Sequence, residues 1–133
     1  MADRFQLQVA TPERLLVQED VSEVELPGKD GYMGILPGHA PLLGMLGAGV
    51  LTYQSGGQKQ LLAVDGGFIE IFDNHVSVLA DYAELSTSIK VDDARQHLDQ
   101  AKSQLSKAQT PEDAATALAA AAKAQAQLDA TER

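Results

Sequence analysis

The hydrophobic period of the chain changes once, near residue 85, and the change divides what its two parts can fold into. Before it, apolar and polar residues alternate. Phe5, Leu7 and Val9 are separated by Gln6 and Gln8, and Val24 and Leu26 by Glu25, the two-residue period of a half-buried strand. Turn-forming clusters break these runs at Thr11-Pro12-Glu13 and at Pro27-Gly28-Lys29-Asp30-Gly31. Residues 50–54 and 60–64 flank Ser55-Gly56-Gly57, and residues 68–72 and 75–80 flank Asp73-Asn74. Both patterns predict tight hairpins. Short strands with turn signals roughly every 8–12 residues predict an all-β sandwich of about eight to ten short strands. No helical pattern intervenes, which argues against a parallel α/β sheet.

After residue 85 the period becomes helical. Val91, Ala94, Leu98, Ala101, Leu105 and Ala108 recur at steps of three and four, one face of a helix. Gln109-Thr110-Pro111 stops it. Thr110 as N-cap, Pro111 at the first helical position and Glu112 and Asp113 in the first turn start a second helix through Ala114, Leu118, Ala121, Ala124 and Leu128. The short connection predicts an antiparallel C-terminal two-helix hairpin. The expected organisation is a β-sandwich over residues 1–85 and a helical hairpin over residues 86–133. Residues 111–130 hold ten alanines and two leucines. Alanine favours the helix but buries little, at about 0.8 kcal/mol per methyl(ene) group. The composition suits equally a helix pair that detaches from the sandwich and a solvent-exposed spacer.

Charge and residue usage narrow the function. Residues 1–84 carry twelve acidic and four basic side chains, a net of −8, and residues 85–133 seven and six, a net of −1. An acidic front module repels phosphate backbones and argues against nucleic-acid binding. The absence of cysteine excludes thiol chemistry and disulfides. Met1 leads directly into Ala-Asp-Arg and an alternating run, so no secretory leader is expected. No apolar run reaches the roughly 20 residues of a membrane helix, so membrane association is expected only through partners.

No constellation for catalysis emerges. The serines lie in no nucleophile elbow. His39, His75 and His97 lack metal-ligand spacing. Gly44-Met45-Leu46-Gly47-Ala48-Gly49 lacks the Gly-Lys-Ser/Thr ending of a phosphate loop and reads as a bend between strands. Gly66-Gly67 reads as a bulge or a close backbone approach. Asp92 and Asp93 suit a helix start. The sequence therefore predicts a non-enzymatic protein with no catalytic residue, no metal and no required cofactor.

Three segments carry a family resemblance. The thirteen residues from Gly31 to Leu43, Gly-Tyr-Met-Gly-Ile-Leu-Pro-Gly-His-Ala-Pro-Leu-Leu, resemble the signature of the ε subunits of F-type ATP synthases, G-x-[LI]-G-[IV]-[LY]-P-G-H-x-P-L. Ala63-Val64-Asp65-Gly66-Gly67-Phe68-Ile69-Glu70 and Val76-Ser77-Val78-Leu79-Ala80-Asp81 are similar to two further strands of that family, in the same order and spacing. The resemblance implies a non-catalytic rotor subunit of the central stalk, whose sandwich couples the γ subunit to the c-ring. It implies γ contacts at Thr11, His39, Leu42 and Gly44, and c-ring contacts at Asp30, Gly31 and Tyr32. Relatives often have an acidic residue where Tyr32 stands, which leaves Asp30 to supply the charge. It also implies a helical hairpin that moves between a folded and an extended state, touches the α and β subunits transiently, and regulates ATP hydrolysis. With Arg95, Lys102, Lys107 and Lys123 as its cations, this hairpin is expected to inhibit weakly.

Some bacterial relatives bind ATP at the folded hairpin, which implies a regulatory ATP at Asp92, Arg95 and Lys123. The stretch Val91 to Gln96 departs from the [IL]-D-x-x-R-A motif at Gln96, and Lys123 and Gln127 stand where such relatives carry arginines. Read alone, Asp92 suits the helix N-terminus and Arg95 a solvated face. The resemblance further implies a peripheral protein on the cytoplasmic face of the bacterial inner membrane, with no homo-oligomer. The alternative reading is a free-standing ATP-binding sensor.

Overall fold

The structure, a computed structural model, describes residues 3–132. Among these, seven strands precede two helices: β1 (Phe5–Ala10), β2 (Leu15–Val21), β3 (Glu23–Gly28), β4 (Gly31–Ile35), β5 (Leu42–Ser55), β6 (Gln58–Phe72), β7 (His75–Leu85), α1 (Val91–Lys107) and α2 (Pro111–Glu132). The strands lie in the order β2-β1-β7-β6-β5-β3-β4. The count is lower than eight to ten because two strands are long, β5 with 14 residues and β6 with 15. The run from Gly44 to Gly49 does not end a strand as its composition suggested; it lies inside β5. Its small residues let the strand bend without ending, so one strand serves both layers.

The single sheet wraps over itself. Inward side chains from every strand, among them Leu7, Val17, Val24, Ile35, Leu51, Ile69 and Val78, meet in one buried cluster, which is the two-layered arrangement that the alternation predicted. The wrap is fastened where β2 passes into β3. There the Ser22 N–H donates to the Gln54 carbonyl at 2.9 Å, the Tyr53 hydroxyl to the Glu19 carboxylate at 2.7 Å, and the Ser55 hydroxyl to the Asp20 carbonyl at 3.0 Å. These bonds return the edge strand β2 to the end of β5.

A crease crosses the three central strands. In β6 the inward residues are Leu62 and Val64 on one side of Gly66-Gly67 and Ile69 and Ile71 on the other, so the alternation flips between them. It flips likewise from Leu46 to Leu51 in β5, and from Ala80 to Ala83 in β7. The ladders keep their register: Leu46 pairs with Gly67 and Ala48 with Asp65, while Gly67 pairs with Ala80 and Asp65 with Tyr82. The glycine pair is therefore no bulge. It is the close backbone approach, with Gly66 at φ 73° and Gly67 at φ 126°. A Cβ at Gly67 would collide with the Leu79 carbonyl oxygen.

The two helices fold back on each other. The Thr110 hydroxyl accepts the Asp113 N–H at 3.0 Å, the expected N-cap. Ala94 and Ala101 of α1 and Ala117 and Ala124 of α2 are buried, an alanine seam that brings the backbones close. Leu118 is exposed. The pair sits on the sheet rather than standing out as a spacer. Ala126 and Ala130 of α2 pack with Val50 of β5 and Ala63 of β6 in a small buried cluster rimmed by Leu61, Tyr82 and Ile89.

Candidate docking face and helical arm

The crease splits the outer face of β5, β6 and β7 into two halves with different fates. Beyond the glycine pair, on the side of the Asp73-Asn74 turn, the register aligns Ala10, Leu79, Phe68 and Met45 in one row across four strands. Leu43 and Phe72 extend it along β5 and β6 on the same face. Leu43, Met45, Phe68, Phe72 and Leu79 are each at least half exposed. The exposed Glu70 shares this face, between Phe68 and Phe72 and opposite Leu43, and an exposed, mostly apolar half-face of this kind is characteristic of protein docking sites. The other half of the face lies beneath α2.

The residues expected to meet γ frame this surface and are not its body. Thr11 follows Ala10, and its hydroxyl accepts the N–H groups of Glu13 and Arg14, both at 3.3 Å, which shapes the β1–β2 turn. Leu42 turns inward and packs on the main core. Gly44 lies between the exposed Leu43 and Met45. The His39 Nδ1 lies 2.7 Å from the Ala40 carbonyl in the Pro37–Pro41 loop, beside a hollow of 800 Å³ that Phe72 and Asn74 also line. Asn74 fastens that loop: its Oδ1 accepts the Gly38 N–H at 2.9 Å and its Nδ2 donates to the Arg4 carbonyl at 2.7 Å. The sequence reading did not single out Met45, Phe68, Phe72 and Leu79 as exposed. The available signal was the run from Phe68 to Phe72, in which phenylalanines flank Glu70 on the face opposite Ile69 and Ile71.

Asp30 and Gly31 form an exposed turn held to β5 by the Lys29 N–H, which donates to the Met45 carbonyl at 2.9 Å. Tyr32 does not share that freedom. Its hydroxyl accepts the Val50 N–H at 2.9 Å, so the side chain lies back along the sheet.

The expected ATP residues do not converge. Lys123 lines a 310 Å³ cleft between the helices, with His97, Gln100, Gln104 and Gln127. The cleft continues into a 270 Å³ hollow bordered by Glu84, Lys90 and Asp93. Asp92 and Arg95 are exposed and border neither. At about 100° per residue, they fall on the side of α1 away from Asp93 and His97.

Polar groups join the arm to the sheet at Tyr82. Its hydroxyl donates to Glu84 Oε1 at 2.6 Å and accepts from Gln127 Nε2 at 2.8 Å. Lys123 Nζ lies 4.3 Å from the ring centroid. Burial, and then the Glu84 carboxylate, push the Tyr82 hydroxyl well above the usual tyrosine range. Opposite Tyr82, burial raises the Asp65 carboxyl; the Lys123 cation pulls it down and the Asp81 carboxylate pushes it up.

Residues 4–86 match the family described as the ATP synthase delta/epsilon chain, beta-sandwich domain. The chain is 48% identical to the ATP synthase epsilon chain of Solibacter usitatus over 128 residues, 96% of each. It belongs to the ATP synthase epsilon chain family. The epsilon chain of Carboxydothermus hydrogenoformans is 43% identical over 107 residues, 80% of each. The fold also matches a chain in the Euglena gracilis mitochondrial ATP synthase, OSCP/F1/c-ring, with a TM-score of 0.83 at 22% identity, covering 94% of this chain and 79% of that one. A chain of the Tetrahymena thermophila central stalk and c-ring matches with a TM-score of 0.66 at 14% identity, covering 95% of each.

An epsilon chain is a subunit of the rotary complex rather than its catalytic chain. Among the described residues, no group of three or more His, Asp or Glu side chains is gathered to hold a metal ion. Among the same residues, no helix is long and apolar enough to cross a membrane. The outer face of the sheet is exposed and largely apolar on one half and covered by α2 on the other.

Proposed function

We propose that the chain is a central-stalk subunit whose outer β5–β6–β7 face binds the γ subunit, whose Asp30–Gly31 turn meets the c-ring, and whose helical arm regulates ATP hydrolysis by leaving the sheet. The carrying observation is the exposed row of Leu79, Phe68 and Met45. An apolar face of this extent calls for a permanent partner, and Thr11, His39 and Gly44, assigned to γ by resemblance, stand around it. The turn borders this face at Met45 and carries one exposed carboxylate, suited to a basic loop. The arm reaches the α and β subunits only when extended. Held by these partners, the chain works at the cytoplasmic face of the bacterial inner membrane.

Co-purification with γ tests the reading. Phe68→Glu places a charge on the face without touching the core, so the variant keeps its melting temperature and loses γ. A Phe68→Glu chain that binds γ as the parent does would refute this face as the interface. A parent chain with no affinity for γ would refute the function.

A further inference from the structure

We propose that Tyr82, Lys123 and Gln127 form a clasp that sets how firmly the helical arm sits on the sheet. The inference rests on the reading that the arm can leave. The apolar seat beneath α2 is small, being one valine and three alanines fully buried. Each alanine brings a single methyl group. Tyr82 is the largest side chain at that seat and the one that joins both bodies through polar contacts. Lys123 and Gln127 are four residues apart, one turn along α2, and so share a face of the helix. Both close on the same ring. The ammonium lies 4.3 Å from the centroid and the amide donates to the hydroxyl at 2.8 Å.

The clasp is pre-aimed from the sheet. Tyr82 donates its hydroxyl proton to Glu84 at 2.6 Å, which leaves the oxygen lone pairs for Gln127. Tyr82 faces outward because the alternation of β7 flips between Ala80 and Ala83, at the latitude of Gly66 and Gly67. Asp65, directly opposite Tyr82 in β6, adds attraction for Lys123. A cation over a ring and beside a carboxylate is an electrostatic contact at an exposed site, and dissolved salt screens it. Alanine packing has no such weakness. The clasp therefore makes arm release sensitive to ionic strength, and it does so through Lys123.

Energy transfer on the full chain tests this. The sequence has no cysteine, so Gln58→Cys and Ser103→Cys take one dye each, on sandwich and arm. Raising potassium chloride from about 0.05 to 1 M lowers the docked fraction of the parent. Lys123→Gln lowers the docking constant about fivefold at low salt and flattens the salt response. Tyr82→Phe keeps the ring, and with it the salt response, but loses about fivefold at every salt concentration. Lys123 is exposed, so its replacement leaves the fold intact, and circular dichroism checks the helix content. A Lys123→Gln chain with the parent's docking constant and salt slope overturns the clasp alone. An arm that stays docked in parent and variants at every salt concentration overturns the movable arm, and the clasp with it.

Discussion

The hydroxyl of Tyr32 in β4 accepts the backbone N–H of Val50 in β5 at 2.9 Å, reaching across the strand between them. Tyr32 pairs with Pro27, and the pairing of β3 with β5 lapses between Glu25 and Gly28. Val50 would otherwise have a buried N–H without a ladder partner. The phenol reaches it because Gly49 has no side chain; a Cβ there would overlap the Tyr32 hydroxyl and lie 3.1 Å from Pro27 Cβ. Tyr32→Phe should therefore cost about 1–2 kcal/mol of stability through the orphaned donor. Gly49→Ala should cost more. The double variant should cost less than the sum, because losing the hydroxyl removes part of the clash. Denaturant unfolding of the four proteins measures this coupling, and strict additivity would contradict it.

Gly67 offers a sharper case. At φ 126°, with the Leu79 carbonyl in the way of any Cβ, Gly67→Ala combines backbone strain with a collision against a strand that cannot move aside. A loss of at least about 3 kcal/mol is expected. Thermal melting would show it, and a variant within about 1 kcal/mol of the parent would mean that the crease is soft.

That crease also explains what the sequence revealed and what it concealed. The strand alternation of Phe5, Leu7 and Val9 and the Thr110 cap act within a few residues, and each was legible. The two glycine runs were not equally so. Gly66-Gly67 announced a close approach, but its effect, exchanging inside for outside in three strands at once, depends on register with β5 and β7. Which of Leu42 and Leu43 turns inward depends on that register: Leu42 packs on the core and Leu43 is exposed. In α2, ten of the 22 residues are alanine, so periodicity carries little information about which face is buried. The bond of Tyr32 to Val50 joins residues 18 apart in sequence and left no local signal.

Asp65 gives a pH signature. Its carboxyl is raised by burial, and the pull of Lys123 offsets only part of that rise. A carboxyl with a higher pKa folded than unfolded binds its proton more tightly in the native protein. Its stabilising contribution is complete below the ordinary aspartate value of about 3.9 and is lost as pH rises through the raised value. At pH 7 the ionised Asp65 is a net cost. Asp65→Asn should melt higher than the parent at pH 7, and the difference should vanish as the pH approaches about 4. An equal or lower melting temperature at pH 7 would show that the Lys123 attraction outweighs the burial.

The turn at Asp30 and the phenol at Tyr32 separate charge from packing at the proposed c-ring contact. Asp30→Lys should weaken association of the γ-bound chain with c-ring membranes by about tenfold at low salt, with a smaller effect at high salt. Tyr32→Phe should leave that association unchanged, since the hydroxyl is turned toward Val50. Co-sedimentation across a salt series measures both. Equal losses from the two substitutions would point to a general distortion of the turn rather than to a charge contact.

Removing residues 88–133 tests how much the arm contributes. The seat it vacates consists of Val50 and Ala63, with Leu61 and Tyr82 at the rim, while the main core draws only on the strands. The truncated chain should fold, bind γ, and melt only a few degrees lower, because few methyl groups at about 0.8 kcal/mol each are uncovered. In the assembled enzyme, the arm brings six basic side chains, among them Arg95, Lys102, Lys107 and Lys123, together with seven acidic ones, Asp92, Asp93, Asp99, Glu112, Asp113, Asp129 and Glu132. Those carboxylates blunt any attraction to an acidic partner surface. ATP hydrolysis should therefore rise by less than about tenfold on truncation, an inhibitory contact of under about 1.4 kcal/mol. A larger rise in a steady-state ATPase assay would mean that the extended arm grips by shape and packing, with its net charge of little consequence.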